Sequence, residues 1–247
     1  MLKLIKYEFR KTFLSKLILL AITALAEILF LAGVFLKWDK GLAIGTISLV
    51  MCAVIGIFYI GIESLLVFHR DLNTKQSYML FMTPKTSYHV LGSKVLENGI
   101  SIFLAGVFFA ALAAADVTIA VLYIGGLQEF LDLLKQVSIT WNMEIHLSAG
   151  EALMVFFASL ASWLMTIVTG YLAIVLSATV LAGKKFSGFV SFLLFLLLTW
   201  VCSFLIDCIP SFKTPSLEMW LAILASLLFS GIMYAVSGWI MERKLSV

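Results

Sequence analysis

Six apolar runs, each long enough to cross a bilayer as a helix, dominate this 247-residue sequence. A helix needs about 20 mainly apolar residues to span the hydrocarbon core. Residues 17–36, 42–68, 99–124, 152–182, 189–209 and 217–241 meet that requirement. The second and fourth runs exceed it, which predicts tilt or extension beyond the bilayer. The runs are continuously apolar rather than alternating. The expected fold is therefore an all-α integral membrane protein, one transmembrane domain over 1–247, and not a β-barrel. Composition agrees: 62% of residues are hydrophobic and 13% charged, where a soluble domain has about half and about a quarter. A soluble enzyme, a nucleic-acid binder and a disordered regulator are excluded on these grounds.

The sparse cations orient the spans. The N-terminal tail holds Lys3, Lys6, Arg10, Lys11 and Lys16, and the loop after the second span holds Arg70, Lys75, Lys85 and Lys94. Lys184, Lys185, Arg243 and Lys244 fall on the same side, so 13 of the 17 basic residues are together. Cytoplasmic segments carry the excess of Lys and Arg, which places both termini in the cytoplasm. The first run is longer than a signal-peptide core and follows a patterned tail, so it is expected to be an uncleaved span. Cys52, Cys202 and Cys208 lie within apolar runs and are expected to be structural thiols.

Three segments outside the spans carry patterns. In the tail 1–16, Leu2, Ile5, Phe9 and Phe13 share one helical face, with Lys3, Lys6 and Arg10 beside it. Such a helix lies in the interfacial plane. It serves either as a simple anchor for the first span or as a lever from a cytoplasmic partner to the membrane. The cytoplasmic loop 69–94 can form a short helix over 74–82, followed by Thr83 as N-cap and Pro84 as the first residue of a new helix that runs into the third span. Its large apolar side chains mark either a protein interface or an interfacial hairpin. In the extracellular segment 125–151, Leu127, Phe130, Leu131, Leu134 and Val137 form the apolar stripe of a surface helix.

Catalytic parts are missing from the sequence. His69, His89 and His146 lie in predicted loops, and there is no HExxH and no phosphate-binding loop, since Ala178 stands where Gly183-Lys184 would need an upstream glycine. The chain is expected not to be an enzyme and to hold no cofactor or metal. Ionisable residues within spans cost about 2.5–3.5 kcal/mol each on insertion scales and are functional candidates by default. Glu63 and Asp207 lie near span ends and are expected to reach an interface. Glu27 lies mid-span and Asp116 in the outer half of its span. For these two, an interhelical hydrogen bond and a substrate contact are both open, with Thr166, Thr169 and Tyr171 as available partners.

The run Tyr78-Met79-Leu80-Phe81-Met82-Thr83-Pro84, followed by Leu91-Gly92-Ser93-Lys94, resembles the pattern of ABC-2 type exporter permeases. The N-terminal KLIKYEFRK is similar to the start of small bacterial members. The layout covers the whole chain, and the residue-level likeness about 40 positions. The resemblance implies that the tail is a connecting helix. It further implies that the short helix, with Lys75, Tyr78, Met79, Phe81, Met82 and Pro84, is a coupling helix docking on a separate ATPase. Two permease subunits, identical or paralogous, would form a pathway in the plasma membrane, with ATP and Mg bound by the ATPase partner. The cargo would be an amphipathic, peptide or lipid-like substrate. Two other classes compete: a proton-coupled secondary transporter using Glu27 or Asp116, and a non-transporting immunity or scaffold protein.

Overall fold

The computed structural model describes residues 2–73, 86–124, 149–180, 186–208 and 215–245. These are helical apart from short turns. Helices α1 (Leu2–Phe35), α2 (Asp39–Asn73), α3 (Ser87–Ile124), α4 (Ala149–Val180), α5 (Ser187–Asp207) and α6 (Pro215–Ile240) follow in order, and a π-helical turn, Met241–Leu245, closes the series. All six helices are long and apolar enough to cross a membrane, which makes this a multi-pass membrane protein. The bilayer supplies no hydrogen-bonding water, so each span must satisfy its backbone within itself, as a helix does.

The helix ends differ from the sequence expectation in an informative way. The expected interfacial helix and the first span form one continuous helix of 34 residues. α3 begins at Ser87, three turns before the apolar run from residue 99, and continues into it without a break, as the helix expected to run from Pro84 into the third span would, so Lys94 is helical. Hydropathy marks where a helix is apolar. Its polar extension escapes the same criterion.

The chain divides into two compact units. One comprises residues 1–9, 61–99 and 147–247, the other 10–60 and 100–146. The first is built around α4, 67% of whose apolar window is buried, where other spans bury 6–22%. Small residues permit this: Ala161, Ala173, Ser177 and Ala178 are all buried and let α5 and α6 approach closely. Met165, Val168, Tyr171, Leu172 and Val175 of α4 complete a core with Phe68, Leu91, Cys202 and Met233.

The second unit begins as a tight α1–α2 hairpin. α1 ends in a Schellman turn: Trp38 N–H donates to Gly33 O at 3.0 Å and Lys37 N–H to Val34 O at 3.4 Å. Lys37 occupies the left-handed position with φ 49°, where a side chain costs about 1–2 kcal/mol and glycine costs nothing. Lys37→Gly should therefore raise stability by about 0.5–1 kcal/mol, net of the extra freedom of an unfolded glycine. An increase in the thermal unfolding midpoint in detergent checks it. A decrease would mean that the exposed Lys37 ammonium contributes more than the strain it causes. Beyond the turn the helices approach at glycines. A Cβ on Gly33 would meet the Leu42 backbone, and one on Gly45 would fall 2.6 Å from Phe30 Cα. Ala26, Phe30, Val34 and Leu49 form the buried cluster at this contact.

Candidate functional site

Within the first unit, charge gathers where α1 starts, α2 ends and α3 begins. Lys94 Nζ lies 2.7 Å from Asp71 Oδ2 and 2.9 Å from Glu8 Oε2, and all three side chains are buried. Its ammonium also sits 5.7 Å from the centre of the Phe68 ring. Charges removed from water are tolerated only when paired and hydrogen-bonded, and here one cation holds two carboxylates from two other helices. Asn98, one turn further along α3, is buried and accepts a 3.4 Å hydrogen bond from Trp163 Nε1. The hydroxyls of Ser64 and Tyr171 are 2.6 Å apart, and Phe68 meets Tyr171 edge-on at 5.0 Å.

The start of α3 is also clamped to α6. Tyr234 OH donates to Tyr88 O at 2.7 Å, and Tyr88 OH donates to Ala235 O at 3.3 Å. Gly238 makes this possible, since any Cβ there would meet the Tyr88 ring. Asp71 and Lys94 thus join the two helices that flank residues 74–85. The expected coupling-helix residues Lys75, Tyr78, Met79, Phe81, Met82 and Pro84 lie outside the described residues, as does the expected surface helix over 127–137.

The second unit holds the other candidate. The Glu27 carboxyl of α1 neighbours that of Asp116 of α3. Glu27 Oε2 and Asp116 Oδ1 are buried, and neither has a hydrogen-bond partner. Asp116 forms part of the wall of a half-open cavity of about 230 Å³ between α1, α2 and α3. The rest of the wall is almost wholly apolar: Phe30 from α1; Leu49, Val50 and Ala53 from α2; Phe109, Leu112, Ala113, Val117 and Ala120 from α3. Thr46 also lines it, but its hydroxyl is engaged by Leu42 O at 2.9 Å. Such a pair can hold a proton or a cation.

Other expected site residues fall elsewhere. The Thr166 hydroxyl bonds to Ser162 O at 2.9 Å, and that of Thr169 to Met165 O at 2.7 Å and Met233 Sδ at 3.1 Å. Both belong to the first unit, whereas Glu27 and Asp116 belong to the second. Ile5 and Phe9 are half-buried, Arg10 and Phe13 exposed, and the side chain of Leu2 lies outside the described set. The buried positions among the first turns of α1 are instead Glu8 and Thr12. Glu63, expected to reach an interface, is buried within the protein, while Asp207 is exposed. All three cysteines are free thiols.

Sequence reading missed Glu8, Asp71 and Lys94. A signal was present: Ser87, Leu91, Lys94, Asn98 and Ser101 fall on one face at three- and four-residue spacing, and all are buried. Reading only for apolar periodicity passes over a face whose buried groups are polar. Among the described residues, no group of three His, Cys, Asp or Glu side chains could hold a metal ion. Compared with protein-family models, curated proteins and solved structures, the chain matches none.

Proposed function

We propose that this chain is the membrane permease subunit of an ATP-binding-cassette exporter, driven by a separate ATPase that binds ATP and Mg. Its cargo is an amphipathic, peptide or lipid-like molecule carried across the plasma membrane, and a second permease subunit, identical or paralogous, completes the pathway. The N- and C-termini lie in the cytoplasm, and residues 74–84 form the docking element.

The observation that best supports this reading is the buried Glu8–Lys94–Asp71 cluster. It ties α1, α2 and α3 together where two of them leave for the proposed docking segment. A force applied by a partner between Asn73 and Ser87 would reach three spans through two short ion pairs rather than dissipating in one loop. The resemblance of residues 78–84 and 91–94 to the permease pattern points the same way.

The test is co-expression with a candidate ATPase, purification through a tag on this chain, and ATP-dependent transport in proteoliposomes. Co-purification is expected, and Tyr78→Ala/Phe81→Ala should reduce both binding and flux by roughly tenfold or more, as loss of buried aromatic anchors does. Absence of any ATPase, with flux unchanged in that variant, would sink the proposal. The facing carboxyls Glu27 and Asp116 favour a second reading, a proton-coupled secondary transporter. Gradient-driven flux without any ATPase, lost in Glu27→Gln, would establish that one instead. No flux under either condition would leave a scaffold or immunity protein.

A further inference from the structure

We propose that the cavity between α1, α2 and α3 is a binding site for the charged end of a cationic amphiphile, an alkyl- or arylammonium whose apolar tail stays in the bilayer. As a statement about cargo, this deepens the exporter reading and rests on it. As a statement about binding, it stands on the cavity itself.

Three observations define the occupant. First, the cavity is a real void of about 230 Å³ walled by apolar side chains including Phe30, Leu49 and Phe109. A dry apolar void of about 150 Å³ accepts a benzene ring, so this one admits a small ring or a branched head. It is smaller than the roughly 300–1,000 Å³ that encloses a whole drug-sized ligand. It is also half-open. Only one end of an amphiphile fits, and the remainder projects out.

Second, the polar edge of the wall is acidic. Asp116 lines the cavity and neighbours Glu27. Each carboxyl keeps one buried oxygen, Oδ1 and Oε2, without a partner. Buried acceptors without donors are costly and rare in native proteins. The two partnerless oxygens are carboxyl acceptors, so this edge of the wall is acidic and wants a donor. An ammonium supplies the missing charge and the missing donors, whereas an alcohol supplies donors without charge and a sulfate supplies neither. A metal ion would need more oxygen ligands than the two carboxyls and the engaged Thr46 hydroxyl can give.

Third, the position is expensive. Both carboxyls lie within membrane-spanning helices, where ionisable groups are costly and are functional candidates by default. In the proposed topology Phe30, Thr46 and Asp116 lie towards the outer end of their helices. The site therefore opens into the outer half of the bilayer, where an inserted amphiphile places its head.

The experiment uses the full chain in nanodiscs of zwitterionic lipid, without any ATPase. The probe is a C14 alkylammonium with a diazirine in its chain; the same chain with a hydroxyl or a sulfate head is the control. Saturable photolabelling within residues 26–60 and 100–122 is expected for the ammonium, and roughly tenfold weaker apparent affinity for the alcohol, as loss of one charge-assisted contact implies. The sulfate should not saturate. Asp116→Asn/Glu27→Gln should abolish the preference for the ammonium. Ala113→Leu, which fills the cavity and keeps both acids, should abolish saturable labelling altogether.

Equal labelling by ammonium and alcohol in the unaltered protein would overturn the proposal even if every variant failed to fold. Unchanged affinity in a folded Ala113→Leu protein would overturn it too, since the head would then sit elsewhere. These outcomes are independent of the exporter reading. Failure of an ATPase to co-purify leaves the binding result standing, and loss of ammonium selectivity leaves the ATPase result standing.

Discussion

Lys94→Met should destabilise the chain by about 3–5 kcal/mol, the usual cost of removing one partner from a buried ion pair. The methionine nearly matches the lysine stem in shape, so the effect isolates the charge. Glu8 and Asp71 would lose the ammonium that lies 2.9 and 2.7 Å from their oxygens, in a place closed to water. Adding Glu8→Gln and Asp71→Asn to Lys94→Met should recover most of the loss, because a buried pair replaced as a whole is often neutral. Thermal unfolding in detergent, read by size-exclusion chromatography after heating, measures both variants. A single variant within about 1 kcal/mol of the parent would show that the cluster is solvated in the native state. The triple variant is also useful for mechanism. If the cluster carries force from the docking segment, the folded triple variant should hydrolyse ATP with its partner and move little cargo.

Gly45→Leu should cost about 3 kcal/mol, at the upper end of ordinary overpacking. Its new Cβ would lie 2.6 Å from Phe30 Cα and 2.8 Å from Phe30 N. Both are backbone atoms, so no rotamer change relieves the contact and α1 must move away from α2. Gly33 faces the Leu42 backbone in the same way, so the hairpin cannot pivot around one glycine without closing on the other. The displacement would also pull Phe30 from the cavity wall, so ammonium binding should weaken together with stability. Gly106 is the control. Nothing lies within 4 Å of a Cβ there, and Gly106→Ala should be neutral or stabilising by up to about 1 kcal/mol through helix propensity. Equal midpoints for Gly45→Leu and the parent would mean that α1 and α2 are not in contact at this level.

The two variants probe parts of the molecule that differed in how far they could be read from sequence. The hairpin was partly legible. Gly33 and Gly45 stand on either side of the turn as small residues of the kind that lets membrane helices meet closely. The carboxyls of Glu27 and Asp116 were visible as mid-span charges, but nothing in one dimension says that they face each other. Residues 89 apart in sequence meet only because α1 and α3 pack in one unit. The ion cluster was hidden altogether. Lys94 looked like one more cytoplasmic lysine in the positive-inside count, and the pattern of the tail does not single out Glu8.

By itself, the sequence determined the solvent, the number of spans and their helical nature. Hydropathy over about 20 residues is a local quantity, and lipid leaves the backbone no alternative but to close its own hydrogen bonds. The cation count proposes an orientation by the same local logic. Only the tertiary structure decided which polar groups are paired, which are left over and where an empty space lies between helices. Those depend on which face of each helix turns inward, and in a membrane the outward face is apolar too. The burial pattern that separates core from surface in a soluble chain is therefore absent. The polar minority, invisible to hydropathy, selects the faces that meet.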